Sequence, residues 1–488
     1  MAKTSVKKNF LYQAFYEVLI VLLPLLTSPY VSRVLGASNI GIYSYTYTIA
    51  NYFVLFAALG IKNYGNREIS RNRDDPKKLN ETFSSILIAH LLVSGVVALC
   101  YIIYLTVIVS PAYRLYAFIQ SFYILGAVLD ISWLFFGMEQ FKVTVTRNSA
   151  IKILSAAAIF VFVNHPGDLW KYVFILGFAN LAGHIYLWAF SKKYVKFCRV
   201  KLQMVFSHLP QMAFLFIPTI AISLYNYMDK IMLGSMSGNV QLGFYENTEK
   251  ITFVASSVIG SVGTVMLPRM SNLVSKGETE RGKRLISDSM EIVLCLSAAM
   301  AFGIAGVASN FAPLFWGKEF AACAPLLAIL SIILPIKGYA SVLRTQYLIP
   351  NRLDKEYTLS VVVGAILNFA VNYSLIPSMH ALGAVIGTVV AEIAVCLVQM
   401  YFCAKALPVF SYLRTGMVYA LFGAVMMAFT WFVQMQFGKD WYVLVLQICG
   451  GAFVFILFCC IYFIATKNPL FFSLLGDLKK KLKKGRSA

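Results

Sequence analysis

Charge is scarce in this chain: only 13% of its 488 residues are Asp, Glu, Lys or Arg, while 59% are hydrophobic. Polar segments are correspondingly short. The widest gap between apolar stretches is about twenty residues, too little for a soluble domain with a core of its own. Catalytic signatures are missing as well. No Walker A sequence occurs, which excludes ATP hydrolysis within this chain as a power source, and neither HExxH nor GxSxG is present. The nine cysteines (Cys100, Cys198, Cys295, Cys323, Cys396, Cys403, Cys449, Cys459 and Cys460) form no CxxC pair and no His/Cys cluster. They read as small apolar packers, not as a disulfide frame or metal ligands. No catalytic residue, metal or cofactor is expected.

What the chain does have is fourteen apolar stretches, each near the roughly 20 residues that cross a bilayer at 1.5 Å per residue. They fall at about 10–32, 41–61, 82–108, 114–137, 148–163, 170–190, 211–233, 243–266, 288–309, 324–346, 358–376, 382–404, 415–435 and 442–465. The expectation is an all-α integral membrane protein with 14 transmembrane helices. Lys and Arg set its orientation, because cytoplasmic loops retain them. With the N-terminus inside, the inside segments carry 32 Lys and Arg, and the outside segments only Arg33, Arg114, Lys171, Lys318 and Lys439. Both termini are therefore placed in the cytoplasm. The net charge of +21 then calls for no nucleic acid. Basic residues at membrane ends, including the run from Lys479 to Arg486, meet anionic membrane lipids instead, at about 1 kcal/mol per charge. The first stretch follows Lys3, Lys7 and Lys8 but is too long for a signal-peptide core, so it is read as a retained helix.

The chain also repeats itself. Arg33-Val34-Leu35-Gly36 followed by Gly41-Ile42-Tyr43-Ser44 returns as Lys230-Ile231-Met232-Leu233-Gly234 followed by Gly243-Phe244-Tyr245-Glu246. A weaker echo joins Phe136–Phe141 to Leu348–Leu353. Each element recurs six spans later, an even number, so the halves share one orientation and relate by an axis along the membrane normal. Three segments follow: residues 1–208 with spans 1–6, 209–405 with spans 7–12, and 406–488 with spans 13–14 and the basic tail. That is two pseudo-symmetric six-helix bundles plus a C-terminal helix pair, with substrate expected between the bundles near the midplane. Pro24 and Pro29 in span 1 and Pro218 in span 7 interrupt corresponding helices. They mark either cavity-lining elements that move or incidental membrane prolines.

Five cations fall within spans: Lys152, Lys230, Lys250, Lys337 and Arg344. Each costs roughly 2.5–3.5 kcal/mol at the bilayer centre and should face a cavity or a partner. Lys152 and Arg344 are placed near cytoplasmic ends, where snorkelling is open to them. Lys230 and Lys250 lie toward the outer side with Arg33 just beyond span 1, and Lys337 is deepest. Carboxylates accompany them: Glu17, Asp130 near the middle of span 4, Asp229, Glu246, Glu249, Glu291 and Glu392. Two readings stand. Either the charges neutralise one another in buried pairs, or surplus cations bind an anionic head group while a carboxylate exchanges H⁺ or Na⁺.

The segments Pro29-Tyr30-Val31-Ser32-Arg33-Val34-Leu35-Gly36, Gly41-Ile42-Tyr43-Ser44-Tyr45 and Leu59-Gly60-Ile61-Lys62-Asn63-Tyr64-Gly65-Asn66-Arg67-Glu68 resemble the bacterial polysaccharide flippases of the Wzx type. These belong to the multidrug/oligosaccharidyl-lipid/polysaccharide (MOP) exporter superfamily. The resemblance implies alternating-access flipping of undecaprenyl-pyrophosphate-linked oligosaccharide repeat units to the outer leaflet of the bacterial cytoplasmic membrane. Coupling to H⁺ or Na⁺ is the expectation, since relatives use such antiport, with substrate gradients alone as the alternative. It implies a polysaccharide polymerase and chain-length machinery as protein partners. Arg33, Lys230, Lys250, Lys337 and Arg344 are assigned to the pyrophosphate, through charge-assisted bonds. Tyr45 and Tyr227, with Tyr43, Tyr47, Tyr225 and Tyr245, are candidates for stacking on sugars. Asp130, Glu17, Glu246 and Glu249 are the ion-coupling candidates. In the related lipid II flippases the two extra helices are thought to shelter the lipid tail, a role that suits spans 13 and 14. The rivals are a multidrug antiporter of the same superfamily, for which an acidic cavity is expected, and an integral-membrane glycosyltransferase or polymerase, which the short outer loops disfavour.

Overall fold

The computed structural model describes residues 6–468, and among these every regular element is helical. Expectations for the basic tail lie outside the described residues, and those for Glu17, Pro218 and Tyr225 lie outside the described side chains. Two compact units divide the chain, Met1–Asn247 with Ile376–Ala381, and Thr248–Leu375 with Leu382–Ala488. Eleven helices are long and apolar enough to cross a bilayer among the described residues, or twelve if one bent pair counts as a single span.

The first unit opens with α1 (Val6–Ala58), 53 residues that cover the first two expected spans. At 1.5 Å per residue it would run about 80 Å, well over twice a hydrocarbon core of about 30 Å. Gly36 breaks it, leaving the helical region for φ 76° and ψ 169°, whereas Pro24 and Pro29 sit inside helical stretches. The short amphipathic α2 (Ile61–Asn72) follows, burying Ile61, Tyr64 and Ile69 and exposing its basic face. α3 (Pro76–Ile103) is capped by Asp75, whose carboxylate accepts from the amides of Lys77 and Lys78, and it ends in a π-helical turn at Tyr104–Ile108.

The fourth expected span is broken. α4 (Pro111–Val128) and α5 (Ser132–Gly137) are separate helices, and Asp130 lies in the gap, not in mid-helix as the apolar run suggests. The cause is local. Asp130 Oδ1 accepts from the Ser132 amide at 2.8 Å, capping α5 and competing with continuous helix. Freed carbonyls inside a membrane need partners. His90 Nε2 donates to Ala127 O at 2.8 Å, Trp188 Nε1 to Leu129 O at 2.9 Å and Trp133 Nε1 to Asp130 O at 3.0 Å.

α6 (Phe141–Phe162) begins seven residues before the expected fifth span. Lys152 therefore sits eleven residues into the helix, about 16 Å along it. That is mid-depth, out of easy snorkelling reach. α7 (Leu169–Ser191) and α8 (Leu202–Ser237) complete the unit with the start of α9 (Asn239–Ser275).

In the second unit the remainder of α9 is followed by α10 (Thr279–Trp316), then α11 (Cys323–Leu330) and α12 (Ile333–Leu343), which meet at 41°. A π-helical turn continues α12 through Arg344–Leu348. α13 (Asp354–Met379), α14 (Ala381–Cys403), α15 (Val409–Phe437) and α16 (Trp441–Ala465) follow. The last pair packs on α10 through a polar ladder. Ser309 Oγ donates to Gln434 Oε1 at 2.8 Å, Asn310 Nδ2 to Gln447 Oε1 at 3.0 Å, and Gln447 Nε2 to Thr430 O at 2.9 Å.

The weaker sequence echo has a backbone basis. Glu139 and Arg352 both adopt left-handed φ, 55° and 60°. Gln140 N then closes on Phe135 O at 2.8 Å, as Leu353 N does on Leu348 O at 2.9 Å. Both are Schellman-type helix ends.

Candidate functional site

Two corners of the first unit cross each other. One is the break at Gly36; the other is Gly238, between α8 and α9, with φ 81° and ψ 177°. Both need a conformation that only glycine adopts without strain. They lie 202 positions apart, which corrects the register expected from sequence: the counterpart of Gly36 is Gly238, not Gly234. The same offset relates Gly41 to Gly243, Tyr43 to Tyr245 and Ser44 to Glu246.

The contacts obey a two-fold rule. A Cβ on Gly41 would land on the carbonyl oxygen of Asn239, and a Cβ on Gly243 would land on that of Ala37. Asn239 is the counterpart of Ala37, so each contact is the mate of the other. Likewise Asn247 Nδ2 donates to Ser32 Oγ at 2.8 Å, while Gly234 packs under the ring of Tyr45. Ser44 meets its own counterpart: its hydroxyl donates to Glu246 Oε2 at 2.7 Å. A local two-fold axis passes through that bond.

Charge gathers there. Lys230 Nζ donates to the same Glu246 Oε2 at 2.8 Å, both side chains being little exposed. One residue back on each helix, Tyr245 Oη donates to Asp229 Oδ2 at 2.7 Å. Tyrosines surround the crossing. Tyr43 stacks on Tyr47 at 5.5 Å between centroids and meets Tyr172 edge-on at 4.9 Å. Tyr47 meets Tyr123 at 5.2 Å, Tyr45 meets Tyr113 at 5.4 Å, and Tyr52 meets Tyr227 at 5.8 Å.

Beside this cluster lies a polar cavity of about 450 Å³ between α1, α4, α6 and α7, bounded by Pro24, Tyr47, Tyr123, Arg147, Lys152, Asn180 and His184. Neutral acceptors help to orient Arg147: Nε donates to Asn148 Oδ1 at 2.8 Å, Nη2 shares that oxygen, and Nη1 donates to Gly183 O at 3.1 Å. Behind His184 stands Asp130, with Nδ1 and Oδ1 3.5 Å apart.

The second unit holds Lys337, whose Nζ pairs with Glu392 Oε1 at 2.9 Å, and Arg344, whose guanidinium lies 5.8 Å over the ring of Tyr357. It also carries an apolar groove of about 780 Å³ walled by α10, α15 and α16, with Glu291 and Asn468 among its few polar residues.

A family model described as polysaccharide biosynthesis protein matches residues 6–274. The chain belongs to that family. A protein of Escherichia coli K12 named as an O-antigen transporter is 24% identical over 82% of this chain and 97% of its own length. The solved structure of the lipid II flippase MurJ, inward closed, superposes with a TM-score of 0.76 at 14% identity, covering 94% of this chain and 100% of that one. A multidrug resistance MATE transporter of the MOP superfamily, inward-facing, gives 0.59 at 14% identity over 81% and 95%. These likenesses are of fold. With the family match, they describe a multi-pass membrane protein that shares its fold with these flippase and transporter structures, in keeping with the Wzx-type resemblance of its opening segments.

Within this family member the predicted residues sort as follows. Lys230, Glu246 and Tyr45 meet at the crossing, and Tyr227 lies near it through Tyr52. Arg33 is exposed three residues before Gly36. Glu249 and Lys250 are half-buried one turn farther along α9. Lys337, expected to be the deepest cation, is engaged by Glu392. The polar cavity was missed because Arg147 counted as a loop charge and Lys152 as a snorkelling one. A longer fifth helix, legible in the polar but uninterrupted run from Phe141, would have placed both inside.

Proposed function

We propose that this protein flips lipid-linked oligosaccharide repeat units, carried on undecaprenyl pyrophosphate, from the inner to the outer leaflet of the bacterial cytoplasmic membrane. The apolar groove on α10, α15 and α16 carries this reading. A cargo with a long hydrocarbon tail needs a continuous apolar surface beside its path, and a compact amphipathic drug does not. Fourteen spans with both ends inside fit the 32-to-5 distribution of Lys and Arg. The 202-residue offset supports six-span lobes near 1–208 and 209–405, with 406–488 appended. Alternating access then opens and closes the glycine crossing. Asp130, set at a helix break against His184, is the proposed carboxylate for H⁺ or Na⁺ coupling, since discontinuous membrane helices commonly carry the coupling ion. Anionic lipids at the basic ends, and the polymerizing machinery that receives the flipped units, are the proposed partners.

The test is a proteoliposome assay with a fluorescent undecaprenyl-pyrophosphate oligosaccharide, comparing wild type with Ala299→Trp, which fills the groove. Protein-dependent translocation, reduced in the variant, is the expected result. Export of cationic dyes with no movement of any lipid-linked sugar would refute the reading in favour of a drug antiporter.

A further inference from the structure

We propose that the polar cavity of the first unit is an anion site, in which the Lys152 ammonium receives a phosphate group of the cargo. The assignment of that phosphate to cargo rests on the function proposed above; the anion site itself rests on geometry. Lys152 stands at mid-depth in α6 and lines the cavity. No hydrogen bond or ion pair joins it to any of the described residues. The other cations that the sequence places within spans, Lys230 and Lys337 among them, are engaged by protein groups or stacked on a ring. An unpaired ammonium inside a membrane protein marks a place where an opposite charge arrives.

The lining specifies the sign and class of that ligand. No carboxylate is among the described lining residues. Asp130, the carboxylate next behind it, is turned to the Ser132 amide and His184. Arg147, five residues before Lys152, adds a second positive charge, held in place through Asn148 and Gly183 O. Asn180, Tyr47 and Tyr123 offer neutral donors around the same space. Ammonium, guanidinium and neutral donors converging on about 450 Å³ match phosphate oxygens.

The experiment is protection of Lys152 from amine acylation in purified wild-type protein, read by mass spectrometry, with inorganic pyrophosphate and farnesyl pyrophosphate as probes. Titration calorimetry on Lys152→Met, Lys152→Arg and the loop variant Lys439→Met accompanies it. Both probes are expected to protect Lys152. Affinity should fall at least about 10-fold in Lys152→Met, as for loss of a charge-assisted bond, and stay within about 3-fold in Lys152→Arg and Lys439→Met. Tighter farnesyl binding identifies the lipid-linked group as the source, and equal binding identifies phosphate alone. Because protection is read on wild type, a variant that fails to fold does not blunt the test. Absence of protection, or unchanged affinity in Lys152→Met, overturns the site. Lys152-dependent binding in a protein that moves no lipid-linked sugar would sink the flippase reading and leave the anion site standing. Full translocation by a Lys152→Met protein that no longer binds pyrophosphate would do the reverse, removing the site from the cargo path.

Discussion

Gly41→Ala should force the crossing apart. In an exposed helix this substitution stabilises by up to about 1 kcal/mol, because alanine is the better helix former. Here the new methyl would occupy the position of the Asn239 carbonyl oxygen, a backbone atom with no rotamer to escape into. Relief requires the two corners to separate by an ångström or more. Overpacking of this kind typically costs about 1–3 kcal/mol, which converts to roughly a 5- to 150-fold shift of the closed-to-open ratio. The two-fold relation supplies an internal control: Gly243→Ala meets the Ala37 carbonyl in the mated contact and should act to a similar extent. The double variant should fall short of the sum, since corners already parted by one methyl leave room for the second. Gly95→Ala, where a Cβ meets nothing within 4 Å, should be silent. Spin labels at Ser38 and Val240, exposed counterparts at the two corners, read the separation by pulsed dipolar spectroscopy. Wild type is expected to give one short distance, and each glycine variant a substantial longer population. An unchanged distribution in Gly41→Ala, or a large effect in only one of the two mated variants, would refute the reasoning.

Three further outcomes follow from other parts of the molecule. Cys295 and Cys459 lie with their sulfurs 3.8 Å apart, so mild oxidation should join α10 to α16 with little movement toward the roughly 2.05 Å bond; intact-mass and peptide mapping would detect the cross-link. In the Lys337–Glu392 pair the carboxylate is the buried partner, at 8% exposure against 36%. Lys337→Met should therefore lower thermal stability more than Glu392→Gln, by about 1–3 kcal/mol for a buried charged group that loses a partner, and Lys337→Met/Glu392→Met should recover much of the loss. Asp130→Asn keeps an oxygen for the Ser132 amide and removes the charge beside His184, so it should preserve folding while abolishing the H⁺ or Na⁺ dependence of transport in proteoliposomes.

The helices were legible because apolar runs of bilayer length admit little else, and the repeat was legible because two glycines and a tyrosine recur in fixed order. Register was harder. Gly234 follows a cation and an apolar run much as Gly36 does, but the fixed requirement is the left-handed corner five residues before the second glycine, and only Gly36 and Gly238 meet it. Interruptions were misplaced for a related reason. Prolines drew the eye to spans 1 and 7, yet the breaks in spans 4 and 10 lie at Asp130 and at Ser331–Ile332, without proline. An Asx cap, the adjoining Trp133, and donors from other elements, His90 and Trp188, hold the first of them open, and no hydropathy window registers a hydrogen bond. Lys152 was misjudged because depth is a property of the whole helix, and the helix starts among polar residues.

Symmetry also explains where the charge sits. A two-fold axis sets each residue near it against its own counterpart, so an axial position cannot hold the same charge twice: two carboxylates that close could not both ionise. The pair on the axis here is Ser44 and Glu246, a hydroxyl donor facing a carboxylate acceptor. The compensating ammonium, Lys230, comes from the same repeat as Glu246, and its counterpart in the first repeat is the buried Ser28. At these positions the first repeat thus contributes small hydroxyls and the second an ion pair. The pair stays within one corner, α8 to α9, while the Ser44–Glu246 and Ser32–Asn247 bonds span the crossing. Separating the corners would leave the Glu246–Lys230 pair intact and exchange the Ser44 hydroxyl for water. A crossing built this way is closed by backbone contact at Gly41 and Gly243 without setting that ion pair across the contact.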